Sequence, residues 1–174
     1  LRFALLASTL LVPFSFPRCS DAADPADAKT IGRVSSERKD LTRFVQLLEK
    51  TEIGSKLSEK TNSRFSVFAP VNSAFDQLPP GAIDTLLNPK NKDRLEEVIA
   101  FHVLARSEPS FALEKYSLLR MSTGQFVGID YTQQEIGEAK FTGETIVCSN
   151  GVIYLVDTVL TPKTDDLFQT LQKD

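Results

Sequence analysis

One histidine, two cysteines and a single methionine in 174 residues leave little from which to build a metal centre or a catalytic dyad. A usual structural zinc site takes four sulfur or imidazole ligands, more than this chain supplies. No G-x-S-x-G sequence is present, so the strained nucleophile elbow of serine hydrolases is excluded. Gly124, Gly128, Gly137 and Gly143 form no phosphate-loop pattern. No Asn-x-Ser/Thr acceptor occurs, and glycosylation at asparagine is not expected. After residue 23 no apolar run approaches the ~20 residues that a membrane-spanning helix requires. The net charge of -3 is mild and the basic residues are scattered, which removes the electrostatic case for nucleic-acid binding. No cofactor and no metal is called for.

What is present divides into a leader and a body. Arg2 precedes the apolar run Phe3 to Val12, followed by Pro13, Pro17 and small residues. A positive start, a short apolar run and a small-residue exit predict a secretory signal peptide over residues 1–22, cleaved after Ala22. The protein is accordingly expected to be secreted, periplasmic or extracellular, and peripheral to a membrane at most. Cys19 falls in the leader, and Arg18 before it differs from the small residues of a lipoprotein site. Cys148 lies among Ile146, Val147 and Ser149 and reads as a buried, unpaired hydrophobe. Residues 23–36, rich in Ala, Asp and Pro at their start, are expected to be flexible. Residues 37–174 form one domain, with 41% hydrophobic and 25% charged residues in the whole chain.

Helix signals come first within the body. Asp40 is placed to cap a helix carrying Leu41, Phe44, Val45 and Leu48 on one stripe. Ile53 and Leu57 indicate a short second helix that contains Gly54. Phe65 to Ala69 reads as a strand stopped by Pro70, after which Asn72 caps a helical turn. Pro79-Pro80 opens another helix, closed by Asn88-Pro89, and Asn91 caps the next, which buries Leu95, Val98 and Ile99. Strand signals dominate afterwards: 118–121, 125–131, 138–142, 145–149 and 152–157. Asn150-Gly151 predicts a type I′ hairpin turn. An amphipathic turn with Leu167, Phe168 and Leu171 follows Pro162. Helices followed by strands give an α+β class.

Two apolar boxes stand out. Residues 65–75 read FSVFAPVNSAF and residues 150–162 read NGVIYLVDTVLTP, with Phe101-His102-Val103-Leu104 between them. In order and spacing these elements resemble the two signature boxes and the Tyr-His element of fasciclin-like domains, and the resemblance runs from about Asp40 to Leu171. It is closest to a single-domain, exported, bacterial member. It implies N-terminal helices packed on a β-wedge or sandwich formed mainly by the C-terminal half, with the two boxes close together in space. It also implies a non-catalytic adhesion or interaction module that binds a cell-surface or matrix protein or a polysaccharide. Algal relatives that bind carotenoids supply a second class, a carrier of an apolar small molecule. Val71 stands where such boxes often carry threonine, Phe101 where they carry tyrosine, and Tyr154 where they often carry histidine. Integrin binding in animal relatives is attributed to the Tyr-His region. Lacking that tyrosine and any Arg-Gly-Asp triplet, the chain is not expected to share it.

The candidate site residues follow from this alignment of boxes. Val71, Asn72, Phe101 and His102 are the candidate binding residues. Asn72, His102 and Asp157 are expected to form a structural polar network at the junction of the boxes. His102, the only candidate for a catalytic base, is expected to be buried, with its ring nitrogens bonded to Asn72, Asp157 or the backbone. No catalytic residue is assigned. Glu96-Glu97 and Asp165-Asp166 are adjacent pairs that do not face each other on a helix, and read as solvated surface.

Overall fold

The computed structural model describes residues 29–60, 63–105, 113 and 115–162. The leader, Cys19 and the expected turn at Leu167, Phe168 and Leu171 lie outside them. Six α-helices and seven strands occur among the described residues. The helices are α1 (Ile31–Glu37), α2 (Thr42–Leu48), α3 (Glu52–Ser58), α4 (Asn72–Phe75), α5 (Ala82–Leu87) and α6 (Lys92–Phe101). The strands are β1 (Phe65–Pro70), β2 (Val103–Leu104), β3 (Leu118–Arg120), β4 (Phe126–Asp130), β5 (Glu135–Ile136), β6 (Ala139–Cys148) and β7 (Gly151–Val156). They form one sheet in the order β2-β1-β7-β6-β5-β4-β3. The class is α+β, as the order of signals predicts.

The two boxes supply neighbouring strands. β1 and β7 run parallel, from Phe65 opposite Gly151 to Pro70 opposite Val156. Every residue of β7 is buried, because helices cover one face and the curled sheet covers the other. A strand buried on both faces reads as a continuous apolar run, which is how the second box reads. The period of two sorts its side chains. Ile153 and Leu155 join Val67 and Ala69 of β1 in a core beneath the helices, with Phe44, Leu57 and Ile99. Tyr154 and Val156 join Phe68 in a second core with Leu119, Val127 and Ile136. Phe68 and Tyr154 stack with ring centroids 5.4 Å apart. Just past β3, Ser122 donates its N–H to the carbonyl of Val103 in β2 at 2.9 Å. That bond brings the two ends of the sheet together around the second core.

Several local expectations are corrected. The ordered body begins earlier than residue 37: α1 takes in residues 31–36 of the segment expected to be flexible, with Ile31 and Ser35 fully buried. Thr30 caps it, accepting the Arg33 N–H on its hydroxyl. Asp40 does not cap α2. It lies in the 3-10 turn Lys39–Leu41, and its carboxylate takes the Arg38 guanidinium at 2.7 and 2.9 Å. α5 starts at Ala82 after Gly81, two residues beyond the proline pair. Asn91 stands at the start of α6, but its amide donates to the Thr85 carbonyl at 2.8 Å rather than capping the helix. The expected strands at 138–142 and 145–149 are one strand, β6. Its pairing with β7 slips between Phe141 and Thr145, where Gly143 takes φ +87. Gly54 belongs inside α3, since a Cβ there would sit 2.0 Å from the Leu48 carbonyl oxygen.

Asn150-Gly151 is not a type I′ turn. Cys148 pairs with Gly151, so the loop residues are Ser149 and Asn150, and Asn150 does not take a positive φ. Gly151 is already in β7, with φ +151, and its Cβ position lies 1.9 Å from the Phe65 carbonyl oxygen. Glycine is required here because β1 passes too close for any side chain.

Candidate functional site

The junction of the boxes is built from the ends of β1, β7 and α6. At the end of β1, Val71 donates its N–H to the Val156 carbonyl at 3.0 Å, which joins the two boxes directly. Its half-buried side chain packs on the core beneath the helices. Asn72 opens α4 but does not cap it. Its Oδ1 accepts the Arg43 N–H at 3.1 Å, and its Nδ2 donates to the Lys39 carbonyl at 2.8 Å. The first box therefore caps α2, the task that the sequence assigns to Asp40. Arg43 returns the contact, donating to the Asn72 carbonyl at 3.1 Å and pairing with Asp76 at 2.5 Å.

His102 ends α6 and is 1% exposed. Its Nε2 accepts the Leu160 N–H at 2.9 Å, and its Nδ1 lies 2.7 Å from the Val98 carbonyl. An amide can only donate and a carbonyl only accept, so the ring is neutral with its proton on Nδ1. Burial lowers its pKa from 6.5 to about 4, the carbonyl of Val98 opposing the shift. With both nitrogens spent on backbone, the ring has no free lone pair with which to take a proton from a substrate.

Asp157 serves a third place. Its Oδ1 accepts the Lys140 N–H at 2.8 Å and the Thr158 hydroxyl at 3.1 Å, and its carbonyl accepts from Gln77 at 3.0 Å. The expected network of Asn72, His102 and Asp157 is thus corrected. Each ties different segments of the chain, and among the described residues no hydrogen bond joins the side chains of two of them. Polar residues near a strand end meet many unpaired backbone groups, and here these take all three side chains.

Beside His102 opens an apolar groove of about 390 Å³. Phe101, Val159 and Leu160 line it from one side, and Leu118, Phe126 and Gly128 from the other. Leu118 and Phe126 are 60% and 65% exposed. Leu118 lies opposite Gly128 and Phe126 opposite Arg120, so the two apolar side chains stand diagonally on the outer face of the β3–β4 hairpin. Gly128 leaves open space between them, for a Cβ there would meet nothing within 4 Å. Of the four candidate binding residues, only Phe101 lines this groove, and it is 4% exposed. The patch has a sequence signal that the box alignment passes over. Leu118-Leu119 and Phe126-Val127 are adjacent apolar pairs on short strands, and alternation must turn one member of each pair outward.

Cys148 is 7% exposed, and burial raises its pKa to about 11. At pH 8 its thiolate population should be roughly a hundredfold lower than in the unfolded chain, since only the thiolate reacts. Labelling with a disulfide reagent is expected to be slow in the native protein and fast in denaturant. Fast native labelling would place the thiol in reach of solvent. Among the described residues, no group of three His, Cys, Asp or Glu side chains could hold a metal ion, and no helix is long and apolar enough to cross a membrane.

Comparison with known proteins bears on the fold and the family. A Synechocystis protein, sll1483, is 26% identical over 136 residues, covering 78% of this chain and 74% of that protein. An uncharacterized protein from the same organism, sll1735, is 34% identical over 97 residues, 55% of this chain and 71% of that protein. Mouse stabilin-2 is 28% identical over 125 residues, which are 69% of this chain but 5% of stabilin-2. The fold matches that of a FAS1 domain pair from the insect cell adhesion molecule fasciclin I with a TM-score of 0.62 at 15% identity, over 77% of this chain and 51% of that one. The fasciclin domain family model matches residues 39–162, spanning both boxes and the His102 element, and the chain belongs to the fasciclin domain family.

Proposed function

We propose that this chain is a non-catalytic, exported interaction module that binds a protein or polysaccharide at a cell surface or in an extracellular matrix. The observation that carries the reading is the outward pair Leu118 and Phe126 beside the groove, in a domain whose only histidine is locked to backbone. Large side chains left exposed next to a concavity are what a partner would cover. The family supports the adhesion class, and the solved relative from a cell adhesion molecule has the same fold. Among the four residues singled out by the boxes, Phe101 contributes by lining the groove and His102 by holding Leu160 in its wall, while Val71 and Asn72 stand apart from it.

The test uses Leu118→Asp and Phe126→Asp. Both side chains are largely exposed, so the fold should survive with an almost unchanged Tm. Binding of the purified protein to native cells or matrix is expected to fall about tenfold or more, the loss of one ordinary hot-spot contact. Unchanged binding by both variants would remove this face from the interaction.

A second reading, a carrier of an apolar small molecule such as a carotenoid, draws on the same groove. Its volume of about 390 Å³ falls within the range of small-molecule pockets, roughly 300–1,000 Å³. Protein isolated from its native host with a visible absorbance band, lost in Phe126→Asp, would favour the carrier.

A further inference from the structure

The wall of the groove is formed in part by residues 158–162, which follow β7 and belong to no strand. Val159 and Leu160 are buried, and Thr161 lines the groove with them. Among the described residues, the hydrogen bond that ties the backbone of 159–162 to the rest of the domain is that from the Leu160 N–H to His102 Nε2. His102 is in turn fixed at three points. Its carbonyl accepts the Phe68 N–H at 2.9 Å, its N–H donates to Ile99, and its Nδ1 donates to Val98. The imidazole thus links α6 to the segment that walls the groove, while the backbone of the same residue holds β1. Its acceptor atom is also the atom that protonates.

We propose that His102 is an acid-sensitive latch: while the ring is neutral it holds residues 158–162 against the domain, and protonation of Nε2 releases them and opens the groove. A protonated imidazole has two donors and no acceptor, so Nε2–H would point at the Leu160 N–H. Two donors facing each other in a buried site repel, and both lose their partner. The charge also has nothing to answer it. Phe44 from α2 lies 6.1 Å from the ring, Val98 and Ile99 come from α6 and Phe68 from β1, and all present ring, aliphatic or backbone groups. Burial and the Val98 carbonyl are the influences on the ring's protonation, with no carboxylate or cation among them. Moving 158–162 admits water to the ring, which is the cheaper way to accommodate the charge than keeping it buried. The latch concerns the shape of the groove and holds whichever partner occupies it.

The linkage is quantitative. In the released state the ring recovers an ordinary pKa, so release becomes easier by about tenfold for each pH unit below ~6.5. By pH 4.5 the population of the open form should be roughly fiftyfold above that at pH 7, because the closed ring, with its pKa of about 4, has also begun to protonate there.

Amide hydrogen exchange on the full chain, corrected for the intrinsic pH dependence, tests this at Leu160 with Ile153 of β7 as the reference. Leu160 is expected to exchange through a local opening: faster than Ile153 at each pH and insensitive to low denaturant, with an opening constant that climbs as stated. In His102→Gln, the amide oxygen can still accept from Leu160 but does not titrate, and the climb should vanish. As the single histidine, His102 gives one ring signal in nitrogen-correlated NMR, expected to show the Nδ1–H tautomer at pH 7. Leu160 and Ile153 sharing one opening constant throughout would mean that no local latch exists. A climb of the same slope in His102→Gln would assign the acid response elsewhere. If His102→Gln does not fold, the comparison of Leu160 with Ile153 in the wild-type chain decides alone.

Discussion

Asn150→Ala is expected to lower the stability of the domain by about 2–5 kcal/mol, a fall in Tm on the order of 10 °C. The side chain is 1% exposed and fixes two helix ends at once. Its Oδ1 accepts the Ile31 N–H at 2.8 Å, one of the unpaired donors at the start of α1. Its Nδ2 donates to the Leu57 carbonyl at 2.8 Å and the Glu59 carbonyl at 3.3 Å, at the end of α3. Ile31 and Leu57 are both fully buried, so water cannot replace what the amide supplies without opening the core. Thermal unfolding followed by circular dichroism measures the loss. Asn150→Gly separates the clamp from the turn. Glycine suits a hairpin loop, so a turn role predicts near-wild-type stability. The clamp predicts a loss as large as that of alanine. Asn150→Asp should also be poor, because it keeps the acceptor for Ile31 but turns an oxygen toward the Leu57 carbonyl.

The same residue shows what the sequence could and could not carry. Asn150-Gly151 marks a chain reversal, and the reversal is there. Local propensity describes the backbone of a dipeptide, whereas the use of Asn150 depends on α1 and α3, 119 and 93 residues away. Asn72 repeats the lesson: its position beside a helix start is legible, but the helix it caps begins 30 residues earlier. The continuous apolar run of β7 agrees with burial on both faces, and the resemblance brings the two boxes close together, but their parallel pairing is visible only in the fold. The two short strands β2 and β5 have two residues each and carry no period to detect. Residues 31–36 look polar and mobile because of Ser35, Ser36 and Arg33, yet a fully buried isoleucine, a threonine cap and the Asn150 amide together hold α1 in place. For the site, the burial of His102 is legible from its apolar neighbours. The groove is not, because its walls come from α6, the β3–β4 hairpin and the segment after β7.

An ion bridge of long range fits the same description. Arg38, between α1 and α2, takes Asp40 and also Glu144 at 2.5 and 2.9 Å across the slip in β6. Its partners raise its pKa further above the usual arginine value, and its guanidinium in turn lowers that of Asp40. The pair is partly solvated, so its worth is modest. Its geometry nevertheless matters, because it fixes the irregular part of β6 to the helices at the place where Gly143 breaks the register.

His102→Ala should cost about 3–5 kcal/mol at pH 7, through two terms that add. The imidazole fills space between Phe44 and the Leu160 segment, and its removal leaves a cavity. It also leaves the Leu160 N–H and the Val98 carbonyl without the partner they have now. The loss should have a pH signature that a purely steric role would not produce. The ring is neutral in the folded state, with its pKa lowered to about 4, and ordinary in the unfolded state. Between these values the unfolded chain binds the proton and the folded one does not. Stability from this group is therefore fully present above pH ~6.5 and is lost as the pH falls toward 4, by roughly 3 kcal/mol in all. Carboxylates held low by partners, Asp40 by Arg38, Glu37 by Lys29 and Asp130 by Thr132, contribute their own loss only further toward acid, as the unfolded carboxyls protonate. Urea titrations at pH 7 and pH 5 isolate the histidine. Wild-type stability should drop between them by about 2 kcal/mol, and that of His102→Ala should stay nearly level. A variant as pH-sensitive as the wild type would show that another group titrates. A variant of unchanged stability that no longer binds its partner would place His102 in the binding surface, despite its burial.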